Sequence, residues 1–171
     1  MATTARSQST DFFYSNRFAL VIESGPFKSQ KVASFQSITM PEHSIENIEY
    51  SEGIFSYSRF YPGRSSFSTI SCHKGVIKGD TNLAKWIRRV SEGWNYRANM
   101  SIYQFHRSDV AGKISYSDSK AYRKIRMVNC MPIRYKPGSD FDAMSIDISI
   151  SEIEFSMERF YIEEDSKEVK P

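Results

Sequence analysis

The chain has 171 residues, 40% of them hydrophobic, and its 23 basic residues nearly balance 20 acidic ones, leaving a net charge of +3. This length predicts one domain, because domains usually hold about 100–200 residues, and the apolar content excludes a wholly disordered chain. The small net charge gives no electrostatic indication of a nucleic-acid or membrane partner. We expect one folded domain over residues 12–162, with a flexible N-terminal segment at 1–11 and a flexible charged tail at 163–171.

The two cysteines, Cys72 and Cys130, are too few for a disulfide framework, and the sequence has no CxxC pair to hold zinc. We therefore expect two reduced thiols in a protein that folds in the cytoplasm. The polar start of the chain lacks the apolar stretch of a secretory signal. No apolar run approaches the ~20 residues that a membrane-spanning helix needs.

Strand-like segments dominate the first part of the chain. They cover residues 17–22, 31–38, 44–50, 54–60 and 67–73. The two segments on either side of Glu52-Gly53 are expected to pair as a hairpin or to form an extended loop. Pro62-Gly63 is predicted to be a turn that leads the chain back into the domain.

A short amphipathic segment predicts a helix over about residues 81–92. Asp80 or Thr81 is expected to cap its first turn, and Gly93 to follow its last. The apolar residues recur at i, i+3, i+4 and i+7, at Leu83, Trp86, Ile87 and Val90. One helix among many short strands favours a mainly β fold, an antiparallel β-sandwich or small barrel with the helix packed at one end.

Two further strands are predicted at 97–106 and 122–131. In the second of these, alternation is expected to place a set of side chains on one face. The members of that set are Ile125, Met127, Asn129 and Met131.

The last strand carries the strongest alternation and also a change of phase. Its first apolar set is Ile146, Ile148 and Ile150. The next set, Ile153, Phe155 and Met157, has the opposite parity and so would point to the other face. Either a β-bulge lies near Ser151-Glu152, or the strand leaves one core and enters another, which would require a partner subunit.

Nothing in the sequence assembles a catalytic or metal site. His43, His73 and His106 have no metal-ligand spacing, and GxSxG, P-loop and GxGxxG motifs are all missing. We therefore expect no enzyme activity, no cofactor and no metal.

Arginines alternate with aromatic residues between positions 57 and 67. Arg59 and Arg64 lie among Tyr57, Phe60, Tyr61 and Phe67. Such a pattern suits either the binding of single-stranded nucleic acid or a buried protein contact. The absence of a strong basic excess favours the protein contact.

Charge is also segregated along the chain. Residues 42–52 contain four glutamates and no basic residue, and residues 120–136 contain six basic residues and no acid. If copies of the chain assembled head to tail, these unlike segments could meet and set the register of the contact. The predicted contact residues are Glu46, Glu49, Glu52, Arg59, Arg64, Arg123, Lys124 and Arg126.

The order of several short motifs resembles the tail tube proteins of contractile-tailed bacteriophages and related contractile injection systems. Each motif is weak alone, but their joint order spans residues 17–160. In chain order they are Phe18–Ile22, Phe35-Gln36, Glu49-Tyr50-Ser51-Glu52-Gly53, Pro62-Gly63, Ile70–Gly75, Leu83–Trp86, Gly93, Arg97–Tyr103, Gly112, Pro132 with Tyr135, and Ser151–Glu158. The tryptophan that the family often places after the glycine corresponding to Gly112 is missing.

This resemblance implies a β-sandwich or small barrel similar to the ring protein of type VI secretion. It further implies a structural virion protein without catalytic residues, in which six copies form a ring and rings stack into a hollow tube inside a sheath. The implied partners are further copies, the tail sheath, the baseplate or tube initiator, the tail terminator, and phage DNA in the lumen. Assembly is expected in the host bacterial cytoplasm. A tube-initiator or baseplate paralogue, the tube of an injection system, and a single-stranded nucleic-acid-binding module remain as alternatives.

Overall fold

A computed structural model describes residues 15–25, 31–32, 35–53, 57–79, 81–105, 123–144 and 146–164. The described strands are β1 (Phe18–Ile22), β2 (Lys31–Val32), β3 (Phe35–Ile38), β4 (His43–Tyr50), β5 (Arg59–Phe67), β6 (Ile70–Gly75), β7 (Ala98–Gln104), β8 (Arg123–Lys136), β9 (Ile150–Ser156) and β10 (Arg159–Glu164). Helix α1 spans Asn82–Ser91. The predicted N-terminal segment lies outside the described residues, as do residues 165–171, whereas Glu163 and Glu164 belong to β10.

Eight strands form one antiparallel sheet that is folded through β8. The order is β2-β1-β7-β8-β9-β6-β3, and β10 pairs with β8. The first part of β8 pairs with β7 and β10, and its last part pairs with β9. Buried residues from both halves and from α1 belong to one hydrophobic cluster. The two halves therefore close over a shared core, which confirms the predicted antiparallel β-sandwich with one packed helix.

Two irregularities let the 14-residue strand β8 pass from one half to the other. Ala98 pairs with Cys130 but Met100 pairs with Met127, so two residues of β8 lie opposite one of β7. Asn129 takes φ +53° there, and its backbone N–H donates to the Asn99 side-chain oxygen at 3.0 Å. A second extra residue, Ile133, shifts the register against β9. Bulges of this kind bend a strand and increase its twist.

The bulge at Asn129 also corrects the face predicted for this strand. Ile125 and Met127 are buried as expected, but the next core position is Cys130, which is fully buried. Met131, predicted to share one face with Ile125 and Met127, is only half-buried. The inserted residue reverses the parity of every side chain after it.

Helix α1 covers the core with the predicted apolar stripe. Leu83 and Trp86 are buried, the Trp86 ring lies 5.2 Å from the Phe155 ring, and its indole N–H donates to the Tyr96 carbonyl at 2.7 Å. Thr81 occupies the N-cap position but makes no side-chain cap hydrogen bond, so a cap from Thr81 is wrong, and Asp80 lies outside the described residues. The φ of +73° at Gly93 confirms the predicted helix end.

The bulge predicted near Ser151-Glu152 is wrong. β9 pairs with β6 in one continuous register, from Gly75 opposite Ile150 to Ile70 opposite Phe155. The earlier isoleucines, Ile146 and Ile148, precede β9 and are highly exposed. The change of phase in the sequence therefore marks the boundary between the exposed segment before β9 and the buried strand itself.

The hairpin was predicted, but its second strand is misplaced. β4 pairs with β5, which begins at Arg59 and runs through Pro62-Gly63, so this dipeptide is not a turn. Gly63 and Arg64 lie opposite the single residue Glu46 in a bulge. A Cβ on Gly63 would approach the Glu46 backbone oxygen to 3.1 Å, and proline is tolerated in strands at bulges and edges. Of the second predicted segment, 54–60, residues 54–56 lie outside the described residues.

We predict that Trp86→Ala lowers the free energy of unfolding by about 3–5 kcal/mol, since it removes a large buried ring and leaves a cavity. Urea denaturation of the monomeric chain measures this loss. The matched control is Trp94→Ala, because the Trp94 side chain is 67% exposed, and it should change stability by less than about 0.5 kcal/mol. Equal losses from the two substitutions would contradict the position of α1.

Candidate subunit interface

The β4–β5 hairpin, called the arm below, forms a two-stranded sheet of its own. All eight residues of β4 are exposed. The arm nevertheless exposes large apolar side chains to solvent, at Ile45, Ile48, Tyr50, Phe60 and Tyr61. An isolated two-stranded hairpin is marginally stable in water, and a contiguous exposed apolar surface marks an interaction site.

Apolar side chains lie on both faces of the arm. Ile48 lies opposite Tyr61, and Tyr50 lies opposite Arg59, so these four residues form one face, called face one. Glu49 lies opposite Phe60 and Asn47 opposite Pro62, and with Ile45 these residues form face two. A surface hairpin that rests on its own domain would have one polar face. This arm is suited to contacts on either side.

The base of the arm is fixed to the domain. The His43 ring stacks on Phe67 at 4.6 Å, and Phe67 meets Phe160 of β10 edge-on at 5.8 Å. The Glu42 backbone N–H donates to the Ser68 hydroxyl at 2.8 Å, and the Ser68 N–H donates to the Glu42 carbonyl at 3.0 Å. The hydrogen bonds and the His43 ring thus close the two ends of the hairpin on each other, and the contact between Phe67 and Phe160 holds that base to the domain.

Five of the predicted contact residues lie together on the arm and its connection. Glu46, Glu49, Arg59 and Arg64 belong to β4 and β5 and are exposed. Glu52, in the connection, is half-buried. The structure therefore gathers the predicted acidic residues and both arginines on one projecting element.

The other three predicted contact residues lie on β8 and are engaged by their own chain. Lys124 Nζ lies 3.1 Å from Glu23 Oε1, with only 7% of the lysine side chain exposed. Arg126 contacts Glu23 at 3.5 Å and Glu163 at 3.3 Å. Arg123 donates to the Gln104 side-chain oxygen at 3.5 Å. The basic segment thus has acidic and polar partners within the monomer.

Further along β8 the same neutralisation continues. Arg134 contacts Glu154 at 2.6 Å and Glu152 at 3.4 Å, and Lys136 contacts Asp140 at 3.2 Å. Apart from Asp140, which follows Lys136 by four residues, the acidic partners come from β9, from β10 and from Glu23 just after β1, which are distant in sequence. Charge counting within a segment could not find them, because strand pairing decides which charges meet.

Glu23 is the centre of this polar cluster, which sequence reasoning missed. Its carboxylate accepts hydrogen bonds from Ser101 Oγ at 2.8 Å and Tyr103 OH at 3.2 Å, besides its contacts with the two cations. Burial acts to raise the pKa of Glu23, but the hydrogen bonds from Ser101 and Lys124 and the charges of Lys124 and Arg126 outweigh it and lower the pKa. The cluster stabilises the ionised carboxylate.

A second exposed apolar surface lies in the connection between β8 and β9. Its members, called the apolar loop surface below, are Phe141, Met144, Ile146 and Ile148, each at least 77% exposed. The loop is tied to the domain: the Val76 N–H donates to the Ser149 carbonyl at 2.9 Å, and the Ile150 N–H donates to Ser139 Oγ at 3.0 Å. Only the two isoleucines were singled out from the sequence.

A groove of about 540 Å³ lies beside this loop and includes Val76, Pro137 and Phe141 in its lining.

Among the described residues, no three His, Cys, Asp or Glu side chains cluster closely enough to bind a metal ion. Burial raises the pKa of both the Cys72 and Cys130 thiols to about 12, so neither supplies a thiolate at neutral pH. In the described part of the chain, no helix combines the length and hydrophobicity needed to cross a membrane.

Comparison with known proteins identifies the class. Residues 14–161 match the family model of the T4-like virus tail tube protein gp19. The chain belongs to this tail tube protein family, which confirms the resemblance found in its motifs. No match was found among curated protein sequences.

Solved structures share the fold. A chain of the PVC extracellular contractile injection system, in its extended sheath–tube complex, aligns with a TM-score of 0.75 at 21% identity, over 94% of this chain and 99% of that chain. A chain of the PVC sheath/tube terminator aligns at 0.73 and 23% identity, over 90% and 99%. A chain of the six-fold symmetrised anti-feeding prophage baseplate aligns at 0.71 and 16% identity, over 96% and 98%.

We predict that Glu23→Gln destabilises the monomer by about 1–3 kcal/mol at pH 7, because it removes a charge that pairs with Lys124 and Arg126. Since the folded-state pKa of Glu23 is lowered, its stabilisation is present above the unfolded pKa and disappears as the pH falls through the folded pKa. The variant should therefore lose less stability than wild type on acidification through the carboxyl range. Urea denaturation over a pH series measures both effects.

The matched control for this prediction is Glu92→Gln. Glu92 pairs with Arg88 at 2.7 Å on the exposed side of α1, and exposed pairs contribute little. The control should be close to wild type at every pH. A pH profile of Glu23→Gln that is parallel to the wild-type profile would contradict the assigned role of the cluster.

Proposed function

We propose that this chain is the subunit of a hollow tail tube, in which six copies form a ring and rings stack inside a contractile sheath. Membership of the tail tube family supports the tube. The six-fold symmetry stated for the baseplate structure that shares this fold supports the ring. The tube acts structurally, as a conduit, and carries out no catalysis.

The observation that carries this proposal is the arm. It projects from the domain with large apolar side chains on both faces, and Phe67 holds its base against Phe160 of β10. In a monomer this apolar surface would face water, whereas contacts between copies would bury it. Contact residues Glu46, Glu49, Glu52, Arg59 and Arg64 then lie at the rim of a contact with an apolar centre, the usual organisation of a protein interface.

The β8 cations have a different role in this proposal. Lys124 and Arg126 hold Glu23 and so stabilise the domain that presents the arm.

The partners of the assembled tube are further copies of the chain, the sheath, the baseplate or tube initiator, and the terminator. The tube belongs to a phage-like particle assembled in the cytoplasm of the host bacterium. Its lumen conducts DNA in a phage tail, or an effector in a related injection system.

Electron microscopy of the purified chain tests the assembly. We expect rings with a central channel, which stack into tubes as the protein concentration rises. Rings of the purified chain that never stack, together with a low copy number of the chain in intact tail particles, would instead identify an initiator paralogue. A chain that stays monomeric at high concentration over a range of salt, and forms no tubes when co-expressed with tail proteins, would overturn the proposal.

We predict that Glu49→Lys or Glu52→Lys hinders tube growth without unfolding the domain. Charge reversal at an interface rim places like charges against the partner surface. A cost of ~1.4 kcal/mol per contact would raise the protein concentration needed for assembly about tenfold. Light scattering measures that concentration, and the unfolding midpoint of the monomer should stay at the wild-type value.

Glu92→Lys is the control for these charge reversals, since Glu92 lies at the end of α1 and not on the arm. It applies the same change of charge to the whole chain. Normal tube growth in the arm variants, or equal impairment in the control, would count against a contact role for the acidic residues of the arm.

A further inference from the structure

The side chains of the apolar loop surface stand out from the described part of the domain. Phe141 and Ile146 are fully exposed, and Met144 is 90% exposed. The loop is nevertheless shaped by its own hydrogen bonds: the Met144 N–H donates to Asp142 Oδ1 at 2.9 Å, and the Ser139 N–H donates to Ser149 Oγ at 3.1 Å. Large apolar side chains held out from the domain in this way indicate a surface that another molecule covers.

The backbone before β9 continues past the paired part of the strand. The pairing of β9 with β6 ends where Ile150 meets Gly75, and its pairing with β8 ends where Glu152 meets Lys136. Residues 146–149 precede both points and are not assigned to a strand. This segment therefore presents apolar side chains next to backbone that lies outside the sheet.

The arm and the apolar loop surface are unlike patches carried by the same chain. In a ring or a stack of rings, contacts are head to tail, so a patch on one copy meets a different patch on the next. Each of these two surfaces needs an apolar partner, and each can supply it to the other. We propose that face one of the arm of one copy binds the apolar loop surface of a second copy, an inference that rests on the proposed tube.

Charge selects face one over face two. The loop carries Asp140, Asp142 and Asp147, all exposed. Face one carries Arg59 opposite Tyr50 near the tip of the arm and Glu46 nearer its base, so these two charges balance, whereas face two carries Glu49 opposite Phe60. Seating face one brings an arginine towards the aspartates, while seating face two would bring a glutamate towards them. Complementary charges at the rim fix the register of an apolar contact.

The aromatic residues of face one suit this role. Tyr50 and Tyr61 combine a large apolar ring with a polar tip, and such residues are enriched at the centres of interfaces. The groove beside Phe141 and Val76 provides a concave surface adjoining the loop. The contact would thus join aromatic side chains of the arm to aliphatic and aromatic side chains of the loop.

Disulfide trapping in assembled tubes tests the pairing. One chain carries Tyr61→Cys and a separately tagged chain carries Met144→Cys, and the two are co-assembled and oxidised. We expect a cross-linked dimer containing one chain of each kind. The native thiols give little background, because Cys72 and Cys130 are buried and their pKa values are raised to about 12.

Phe60→Cys is the matched control, since Phe60 is adjacent in sequence but lies on face two. Paired with Met144→Cys, it should give no more cross-link than the same two variants give when they are mixed and oxidised as unassembled monomers. Tyr50→Cys, which shares face one, serves as a second reporter if Tyr61→Cys fails to fold.

Separately, Ile148→Ser should raise the concentration needed for assembly about tenfold, the effect of ~1.4 kcal/mol, and leave the unfolding midpoint of the monomer unchanged.

The outcomes separate this inference from the tube itself. Tubes that form normally but show no cross-link from either face-one cysteine, or an equal cross-link from Phe60→Cys, would overturn the pairing and leave the proposed function standing. Unchanged assembly of Ile148→Ser would also overturn it. A wild-type chain that forms neither rings nor tubes would overturn both.

Discussion

The crossing of β8 between the two halves of the sandwich is the constraint on which the rest of the structure depends. Its first part pairs with β7 and β10, and its last part with β9. A straight strand could not serve both halves, because they close over the same core. The left-handed backbone at Asn129 supplies the bend, and the Asn99 side chain satisfies its N–H. Cys130 then continues the core on the far side of the bulge.

The position of the charged residues follows from the same crossing. Because β8 lies beside β7 and β10, its cations meet Glu23 and Glu163, and its later residues meet the glutamates of β9. Charges that are segregated along the chain are therefore mixed across the sheet. The arm, and the loop that β8 delivers towards β9, keep large apolar side chains exposed with charged residues around them. The fold pairs the cations of β8 within the chain and leaves hydrophobic surface elsewhere for contacts between copies.

The sequence predictions succeeded where a signal was local. The spacing of Leu83 and Trp86 placed the helix, and Gly93 its end, because both depend on one turn of backbone. Predictions failed where an inserted residue changed the pairing. Pro62-Gly63 was assigned to a turn but forms a bulge opposite Glu46, and the face predicted through Met131 ended at Asn129. A bulge is defined by two strands together, so one strand read alone does not reveal it.

The sequence by itself determined the class of fold, the single amphipathic helix of the described chain and, through the joint order of its motifs, membership of the tail tube family. It also placed five of the eight predicted contact residues on what became one projecting arm. Only the tertiary structure decided that Arg123, Lys124 and Arg126 have partners within their own chain, and that Ile146 and Ile148 lie outside the core. The physical reason is that periodicity and caps act within a few residues, whereas burial and ion pairing are set by strands brought together from distant parts of the chain.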